Sequence, residues 1–526
     1  MVQFLIQNVK TIFKLWLSAV TLVFLYYQYI SNNSDELVFI SGMTKDVNEF
    51  QENWCRIRHA RVDTDSVLKP CSYNTSWTGN SSDYLLRTDA TKSFISLWDV
   101  RPAGQFSRFS IQTKTTDGEI KRIGGDWWRV LLRGPATVSP SMFDLGNGTY
   151  EFLFLAMDPG VYKLDITLDY SLCDGYRDPP RNWFILGNSQ GKMQKDGTLG
   201  ENRAKDDFLL QPFQSGKLFM IDIPMPTNTG AFLINFLSDR SHVASKLDLS
   251  CGIKCSFMWD GFGRWIGRNW KPYLKEIPTH SQEKKSDMSV KRRLRALWIY
   301  GDSQAERLHL SILDGPLCRE IFQSCNLSKL WVYPYKGQRP PWDNKDFNDQ
   351  IVVEDLRRIL EQPEMDENSV LILNLGLHYM ESLSFREYQR LLNKVLNLLK
   401  ERDGGSGQLK YNTRVIWKTS TSLSKEKDTG DQLKSDRRRF LTLPRVKLYN
   451  SYATSLMCKA SLEVLDVYPF TRSYPEGTGG PEVAYYKDHD IVHFKFHVMK
   501  ALDRFIEDYL LGKVLFPIDV TNYMFQ

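Results

Sequence analysis

The period of the hydrophobic pattern changes part-way along this chain, and that change constrains its fold more than any other feature. From 84 to 172 short apolar alternations, SFISLWDV, FSRFSIQT, DWWRVLLRG, TYEFLFLA and VYKLDITLDY, are separated by turn residues. Strand side chains point alternately to opposite faces, so period 2 broken by turns at this spacing predicts a β-sandwich. After Arg295 the grammar is different. Arg295-Ala-Leu-Trp-Ile-Tyr300, Val370-Leu-Ile-Leu373 and, after the Gly404-Gly-Ser-Gly407 loop, Arg414-Val-Ile-Trp417 are short buried-strand runs. Helical periods lie between and after them: Gln304 to Leu313, Val352 to Gln362, the stripe Phe385, Tyr388, Leu391, Leu392, Val395 and Leu399, and an amphipathic stretch from His493 to Leu511. Strands alternating with helices predict a parallel sheet covered on both faces. The expected class is α/β and all-β, multidomain.

The N-terminus sets the expected compartment. TIFKLWLSAVTLVFLYYQYI, residues 11–30, is about 20 residues long, enough at about 1.5 Å per helical residue to cross a hydrocarbon layer of roughly 30 Å. Lys10 and Lys14 lie at its N-terminal end and Asp35 and Glu36 beyond it, which by the positive-inside rule leaves residues 1–10 in the cytosol. No A-x-A cleavage pattern follows promptly, favouring an uncleaved single-pass type II anchor over a signal peptide and placing the remaining chain in the secretory lumen.

Two features agree with a lumenal body. Sequons stand at Asn32, Asn74, Asn80, Asn147 and Asn326. The eight cysteines, Cys55, Cys71, Cys173, Cys251, Cys255, Cys318, Cys325 and Cys458, form an even set suited to full oxidation, with a connectivity the sequence does not reveal. Zinc at Cys251-x3-Cys255 or Cys318-x6-Cys325 is disfavoured, because no second pair or histidine stands at finger spacing. With 68 Lys+Arg against 62 Asp+Glu, the net charge of +6 does not predict nucleic-acid binding.

The expected organisation is a tail (1–10), anchor (11–30), polar stem (31–83), β-sandwich (84–172), Trp-rich connecting segment packed on the catalytic domain (173–273), basic linker (274–293) and α/β domain (294–520). Within the sandwich, Gly124-Gly125-Asp126, Gly134-Pro135, Asp144-Leu-Gly-Asn-Gly-Thr-Tyr150 and Gly160-Val-Tyr162 fall in order between the strands, a pattern that resembles a filamin-type immunoglobulin-like repeat. Asn147-Gly148 suits positive φ in a hairpin turn.

Three short motifs carry the candidate chemistry. Gly301-Asp302-Ser303 follows the first α/β strand, where ligands of open parallel sheets bind, and a helix start there offers backbone N–H groups to a developing oxyanion. The plain alternative is that Asp302 or Ser303 only caps the helix. Asp490-Ile-Val-His493 supplies an imidazole to take a serine proton and a carboxylate to fix its tautomer, against a purely structural histidine. Asn374-Leu-Gly376 ends the Val370 strand, so Asn374 is either an oxyanion donor or a turn residue.

Together GDS, Asn-x-Gly and D-x-x-H resemble the SGNH hydrolase superfamily in its PC-esterase branch. The order of anchor, filamin-like domain, Trp-rich segment and PC-esterase domain resembles the neurexophilin and PC-esterase domain family across nearly the whole lumenal chain. The resemblance, which extends to the plant trichome-birefringence-like proteins, implies O-acetyl transfer to glycans at the Golgi membrane, with acetyl-CoA as donor. By motif match Ser303 is the nucleophile, His493 the general base, Asp490 its partner and Asn374 an oxyanion donor, with Gly337 a candidate for the second donor. The plant relatives carry arginine three residues after the serine and tryptophan after the histidine; here Glu306 and Phe494 stand there, and Arg307 is one residue late.

Other readings remain. An acetylesterase uses the same residues and differs only in what reaches the acyl-enzyme. An inactive glycan-binding or adhesion protein would rely on its immunoglobulin-like domain. His489, His493 and His497, spaced by four, could share a helix face as metal ligands, but no HExxH glutamate lies between them, and no metal is expected. No P-loop or G-x-G-x-x-G marks a tightly bound cofactor.

Overall fold

The computed structural model describes residues 45–73, 75–77, 84–180, 207–238, 251–253, 255–274, 277–278, 294–329, 347–427, 438–479, 490–511 and 514–515. The expected tail and anchor lie outside these residues, and among the described residues no helix is long and apolar enough to cross a membrane. The chain divides after Trp54. In the first unit residues 45–54 are helical. The second unit, Cys55–Gln526, holds everything below.

Alternation does build a β-sandwich. One sheet orders β1 (Phe94–Asp99), β2 (Phe106–Gln112), β6 (Thr149–Leu155) and β5 (Ser141–Asp144) side by side. The other begins with β3 (Trp127–Arg133), β4 (Thr137–Val138) and β7 (Gly160–Tyr170), all antiparallel. Phe109 and Phe152 of the first sheet share one core with Trp128, Val130, Leu132, Leu164 and Ile166 of the second. At the hairpin before β6 the left-handed positions fall on Gly146 and Gly148, not on Asn147. Gly148 also packs against the Lys121 carbonyl, where a Cβ would collide.

The second sheet extends beyond residue 172. β8 (Gln211–Pro212) and β9 (Phe219–Ile223) pair with β7, and β11 (Gly263–Ile266) joins β4 and β12 (Asn269–Pro272). The segment expected to be a connector thus covers open sheet edges, which otherwise present unpaired backbone groups. Its tryptophans pack as structure: Trp265 donates from Nε1 to the Phe470 carbonyl at 3.0 Å and, with Trp270, surrounds the Phe470 ring.

The described part of the expected stem departs from an extended polar spacer. Residues 55–59 and Thr64–Leu68 are helical, Arg58 and Arg61 are ion-paired with Asp260, and Arg61 also with Asp466. Trp77 is buried 5.2 Å from Phe440. Long arginine side chains and one indole anchor a chain whose composition looks solvent-exposed. Disulfides reinforce it: Cys55–Cys251, Cys71–Cys173, Cys255–Cys458 and Cys318–Cys325 use all eight cysteines. Three of them span 196, 102 and 203 residues, the long loops for which cross-linking most restricts the unfolded chain.

The α/β domain is a parallel six-stranded sheet. Its order is β10 (Ser256–Trp259), β18 (Glu463–Leu465), β17 (Arg414–Lys418), β16 (Val370–Leu373), β14 (Leu294–Gly301) and β15 (Phe322–Lys329). Its edge strand β10 comes from the connector, well before residue 294. A small antiparallel pair joins β13 (Ile277–Pro278) to β19 (Val514–Leu515). Period 2 sends Ala296, Tyr300, Leu371 and Leu373 to one face, under helices Asp349–Leu360, Phe385–Leu399 and Leu443–Lys459. Leu297, Ile299, Val370 and Ile372 face the other, under Ser303–Ile312 and Phe496–Leu510. The chain runs from β14 outward to β15 and then returns to β16 on the other side, a topological switch that opens a crevice at the carboxyl ends of β14 and β16.

Candidate active site

The Gly301-Asp302-Ser303 and Asp490-Ile-Val-His493 motifs meet at that crevice. β14 ends at Gly301, where a Cβ would press on the Asn374 carbonyl, and the chain turns at once into the helix Ser303–Ile312. Asp302 is the N-cap, its Oδ1 accepting from Gln304 N–H at 2.9 Å. Capping is therefore the work of Asp302, and the Ser303 hydroxyl is free for another partner. That partner is His493: Nε2 lies 2.8 Å from Ser303 Oγ, and Nδ1 lies 2.8 Å from Asp490 Oδ2. Asp490 Oδ1 meanwhile accepts from the backbone N–H groups of Val492 and His493 at 2.8 and 2.9 Å. Burial pushes the Asp490 carboxyl up, but its hydrogen bond to His493, the charge of that ring and the two N–H donors outweigh it and hold the group below the ordinary carboxylate value.

His493 is not on the last helix. The helix starts at Phe496 after the extended Lys495, so Asp490–His493 is a turn before it, its place fixed by other contacts. His497, one turn into the helix, bonds the Tyr474 hydroxyl at 3.1 Å, and His489 lies outside the described residues. The shared helix face needed for the histidine metal reading does not form between His493 and His497, because Lys495 ends the extended run between them.

The serine helix is tied to that turn by Gln304, which the motifs did not single out, and by Arg307. Gln304 Nε2 donates to the Val492 carbonyl at 3.0 Å. Arg307 donates to the Phe494 carbonyl at 3.1 Å and stacks 4.3 Å over the Phe496 ring. The arginine one residue late thus serves the segment that carries the histidine, while Glu306 turns to Lys329 at 2.6 Å and Phe494 is buried in the core. Their sequence signal was the i, i+3 spacing of Gln304 and Arg307 on one side of the helix.

Asn374 ends β16 as expected, but its amide faces its neighbours. Nδ2 donates to the Lys418 carbonyl at 2.8 Å and lies 3.5 Å from Ser420 Oγ, because a buried amide must place its hydrogens on available acceptors. Among the described residues its Oδ1 has no hydrogen-bond partner, nor has Asp302 Oδ2. A Cβ on Gly376 would come within 2.5 Å of the first and 2.9 Å of the second, so only glycine leaves both carboxamide and carboxylate room there. Lys418 closes β17 in the same region, fully buried, and burial pulls its ammonium down to about 8 against the attraction of Asp302. A lysine directly after Val-Ile-Trp417 was the available signal for it. Gly337 lies outside the described residues.

Of the sequons, Asn147 is exposed beside the β6 hairpin and accepts from Thr149 N–H at 3.0 Å, and Asn326 is half-buried on the edge strand β15. Asn32, Asn74 and Asn80 lie outside the described residues.

No family model matches the chain. Among solved structures it is similar to the Lin-41 filamin domain, at 18% identity over 15% of this chain and 80% of that one, with a TM-score of 0.14. It is similar to Est24, a carbohydrate acetylesterase from Sinorhizobium meliloti, at 13% identity over 41% of this chain and 99% of that one, with a TM-score of 0.27. A carbohydrate acetylesterase family member from the same organism matches at 13% identity over 41% and 99%, with a TM-score of 0.26.

Proposed function

We propose that this protein transfers an acetyl group to a glycan hydroxyl through a serine acyl-enzyme. The observation that carries the reading is the continuous chain from Ser303 Oγ through both nitrogens of His493 to Asp490, each step 2.8 Å. With Nδ1–H donating to Asp490, Nε2 is left to accept the Ser303 proton, which is the tautomer a general base requires. Serine oxygen attacks the acetyl carbonyl of the donor, the new C–O bond forms, and His493 returns the proton to the departing thiol when the donor is acetyl-CoA. In the second half, His493 takes the proton of a sugar hydroxyl, whose oxygen displaces Ser303.

The N–H of Ser303, first in its helix and without an internal acceptor, supports the tetrahedral oxyanion. Asn374 joins it with the amide hydrogen that Ser420 holds only at 3.5 Å. In this reading the chain is a type II Golgi membrane protein with a lumenal body, glycosylated at Asn74, Asn80, Asn147 and Asn326.

The test is mass spectrometry of the full chain and its Ser303→Ala variant after brief exposure to acetyl-CoA or an activated acetyl ester. An acid-stable, base-labile acetyl on Ser303, discharged faster by a saccharide than by water, is the expected result. Discharge by water alone makes the protein an acetylesterase. No acetyl on Ser303 with any donor sinks the covalent mechanism.

A further inference from the structure

The sandwich contributes a wall to a cleft beside the active site. Strand alternation turns Trp128, Val130 and Leu132 into the core and leaves Arg129, Leu131 and Arg133 on the outer face of β3, opposite Thr167, Asp165 and Lys163 of β7. This outer face lines a cavity of about 440 Å³ whose other wall comes from the loop after β17, at Ser422 and Ser424, and from Thr471 to Gly477. Arg133 donates to the Pro475 carbonyl at 2.8 Å, and Arg129 reaches Glu426 at 3.2 Å, so both walls are fixed to each other.

The same wall is bonded to the catalytic turn. Ser424 N–H donates to the Ile491 carbonyl at 3.0 Å, Thr478 N–H to Ser424 Oγ at 3.1 Å, and Gly479 N–H to the His493 carbonyl at 2.9 Å.

Cations outnumber their partners in this cleft. Arg133 and Lys163 stand directly opposite one another, an arrangement that like charges disfavour, and both lean on the single carboxylate of Asp165 at 2.7 and 3.0 Å. Arg129 is taken up by Asp169 at 2.9 Å and by Glu426. Arg472 lines the cavity within electrostatic reach of Arg129 and of the carboxylates Asp169 and Glu426 that Arg129 already engages, and its guanidinium makes no hydrogen bond or ion pair with any described residue. Arg129 and Arg133, four residues apart on one strand, are separated by about 13 Å. The positive groups therefore recur along the cleft and do not converge on one point, which suits a chain with acidic groups at intervals better than a small anion.

We propose that this cleft binds a linear acidic saccharide, with uronate or sulfate groups against Arg133, Lys163 and Arg472. Resting on the acyl-transfer reading, this gives the immunoglobulin-like domain a role in selecting the acceptor. A guanidinium fork matches a planar carboxylate with two parallel hydrogen bonds, and a flanking lysine adds charge.

The experiment measures binding to the full-length Ser303→Ala protein, which holds ligand without turnover, by calorimetry with a heparin hexasaccharide, a hyaluronan hexasaccharide, maltohexaose and coenzyme A. At least one acidic hexasaccharide should bind, more weakly as salt rises. Its affinity should fall at least tenfold with Arg472→Gln and several-fold with Lys163→Gln, an exposed site where folding is not at stake, while Arg319→Gln on the distant surface leaves it unchanged. Equal affinity for maltohexaose, binding of coenzyme A alone, or indifference to both cleft substitutions overturns the proposal. Because no acyl group is involved, this result stands or falls separately from acetylation of Ser303.

Discussion

Lys418 and Asp302 lie at the ends of β17 and β14, both buried beneath the candidate active site, and no hydrogen bond joins them. Asp302 spends one oxygen on the helix cap, and the other has no hydrogen-bond partner among the described residues. Among the described residues the ammonium is thus buried with only through-space attraction to a carboxylate.

That arrangement predicts a specific pH dependence of stability. The Lys418 pKa falls from its ordinary value to about 8 on folding, so between about pH 8 and 10.5 the unfolded chain binds more protons than the folded one. Stability should rise with pH across this window, and the cost of the buried charge is fully present below it. Lys418→Met removes that cost, of order 3 kcal/mol. Denaturant unfolding at a series of pH values should show the variant gaining over wild type at pH 7, with the gap closing by pH 10.5. A gap that does not narrow would show that Lys418 is not held in this state.

Asp490 makes a prediction about rate. Asp490→Asn keeps an acceptor near Nδ1 but also offers an amide donor, which favours the imidazole tautomer with its proton on Nε2, where Ser303 must deliver its own. Turnover should fall by about three to four orders of magnitude while saccharide affinity is nearly unchanged. Because folding lowers the Asp490 pKa, its contribution to stability is present above the ordinary carboxylate value and lost as pH falls through the lowered one. Acid unfolding below about pH 4 should therefore be less steep in the variant, as followed by circular dichroism.

The parallel sheet and the residues that meet at Ser303, His493 and Asp490 were legible because each rests on a local pattern. Val370–Leu373 is buried throughout, as its unbroken apolar run implies, and the stripe from Phe385 to Leu399 is the buried face of its helix. Ser303, Asp490 and His493 sit in short motifs at strand and helix ends, where topology alone brings them together. What stayed hidden depends on distant partners. Nothing around Arg58 or Arg61 announces Asp260 about 200 residues away, and β10 is four residues whose neighbour β18 is only three. The Lys418 carbonyl that accepts one hydrogen of the Asn374 amide stands 44 residues further along the chain, and nothing local to Asn374 announces it.

Arg307 should behave as a positioning residue. Its guanidinium holds the Phe494 carbonyl and the Phe496 ring, immediately after His493, and it does not touch Ser303. Arg307→Ala should lower kcat about tenfold or more with KM little changed, at a stability cost of roughly 2 kcal/mol. Arg307→Lys should restore part of kcat by keeping the charge. A change confined to KM would place Arg307 against substrate instead.

Arg445 offers the most demanding test of the frame around the site. Its guanidinium is fully buried at the start of the helix Leu443–Lys459 and donates to the carbonyls of Met380, Leu383 and Arg177, with an ion pair to Asp178 at 2.7 Å. One planar fork thereby fastens the chain leaving the sandwich to the end of the short helix Leu377–Ser382 that follows Gly376. Lysine has the charge but three clustered donors, which cannot reach all four partners, and each carbonyl left bare in the interior costs about 1–3 kcal/mol. Arg445→Lys should therefore destabilise the protein by at least 3 kcal/mol. The half-buried Asp178 contact should survive, so Arg445→Met, which abandons the carboxylate as well, should be worse still. Urea unfolding of the two variants decides the matter: equal losses would show that the carbonyls, not the ion pair, set the cost, and a lysine variant within 1 kcal/mol of wild type would show that the fork holds nothing that water cannot.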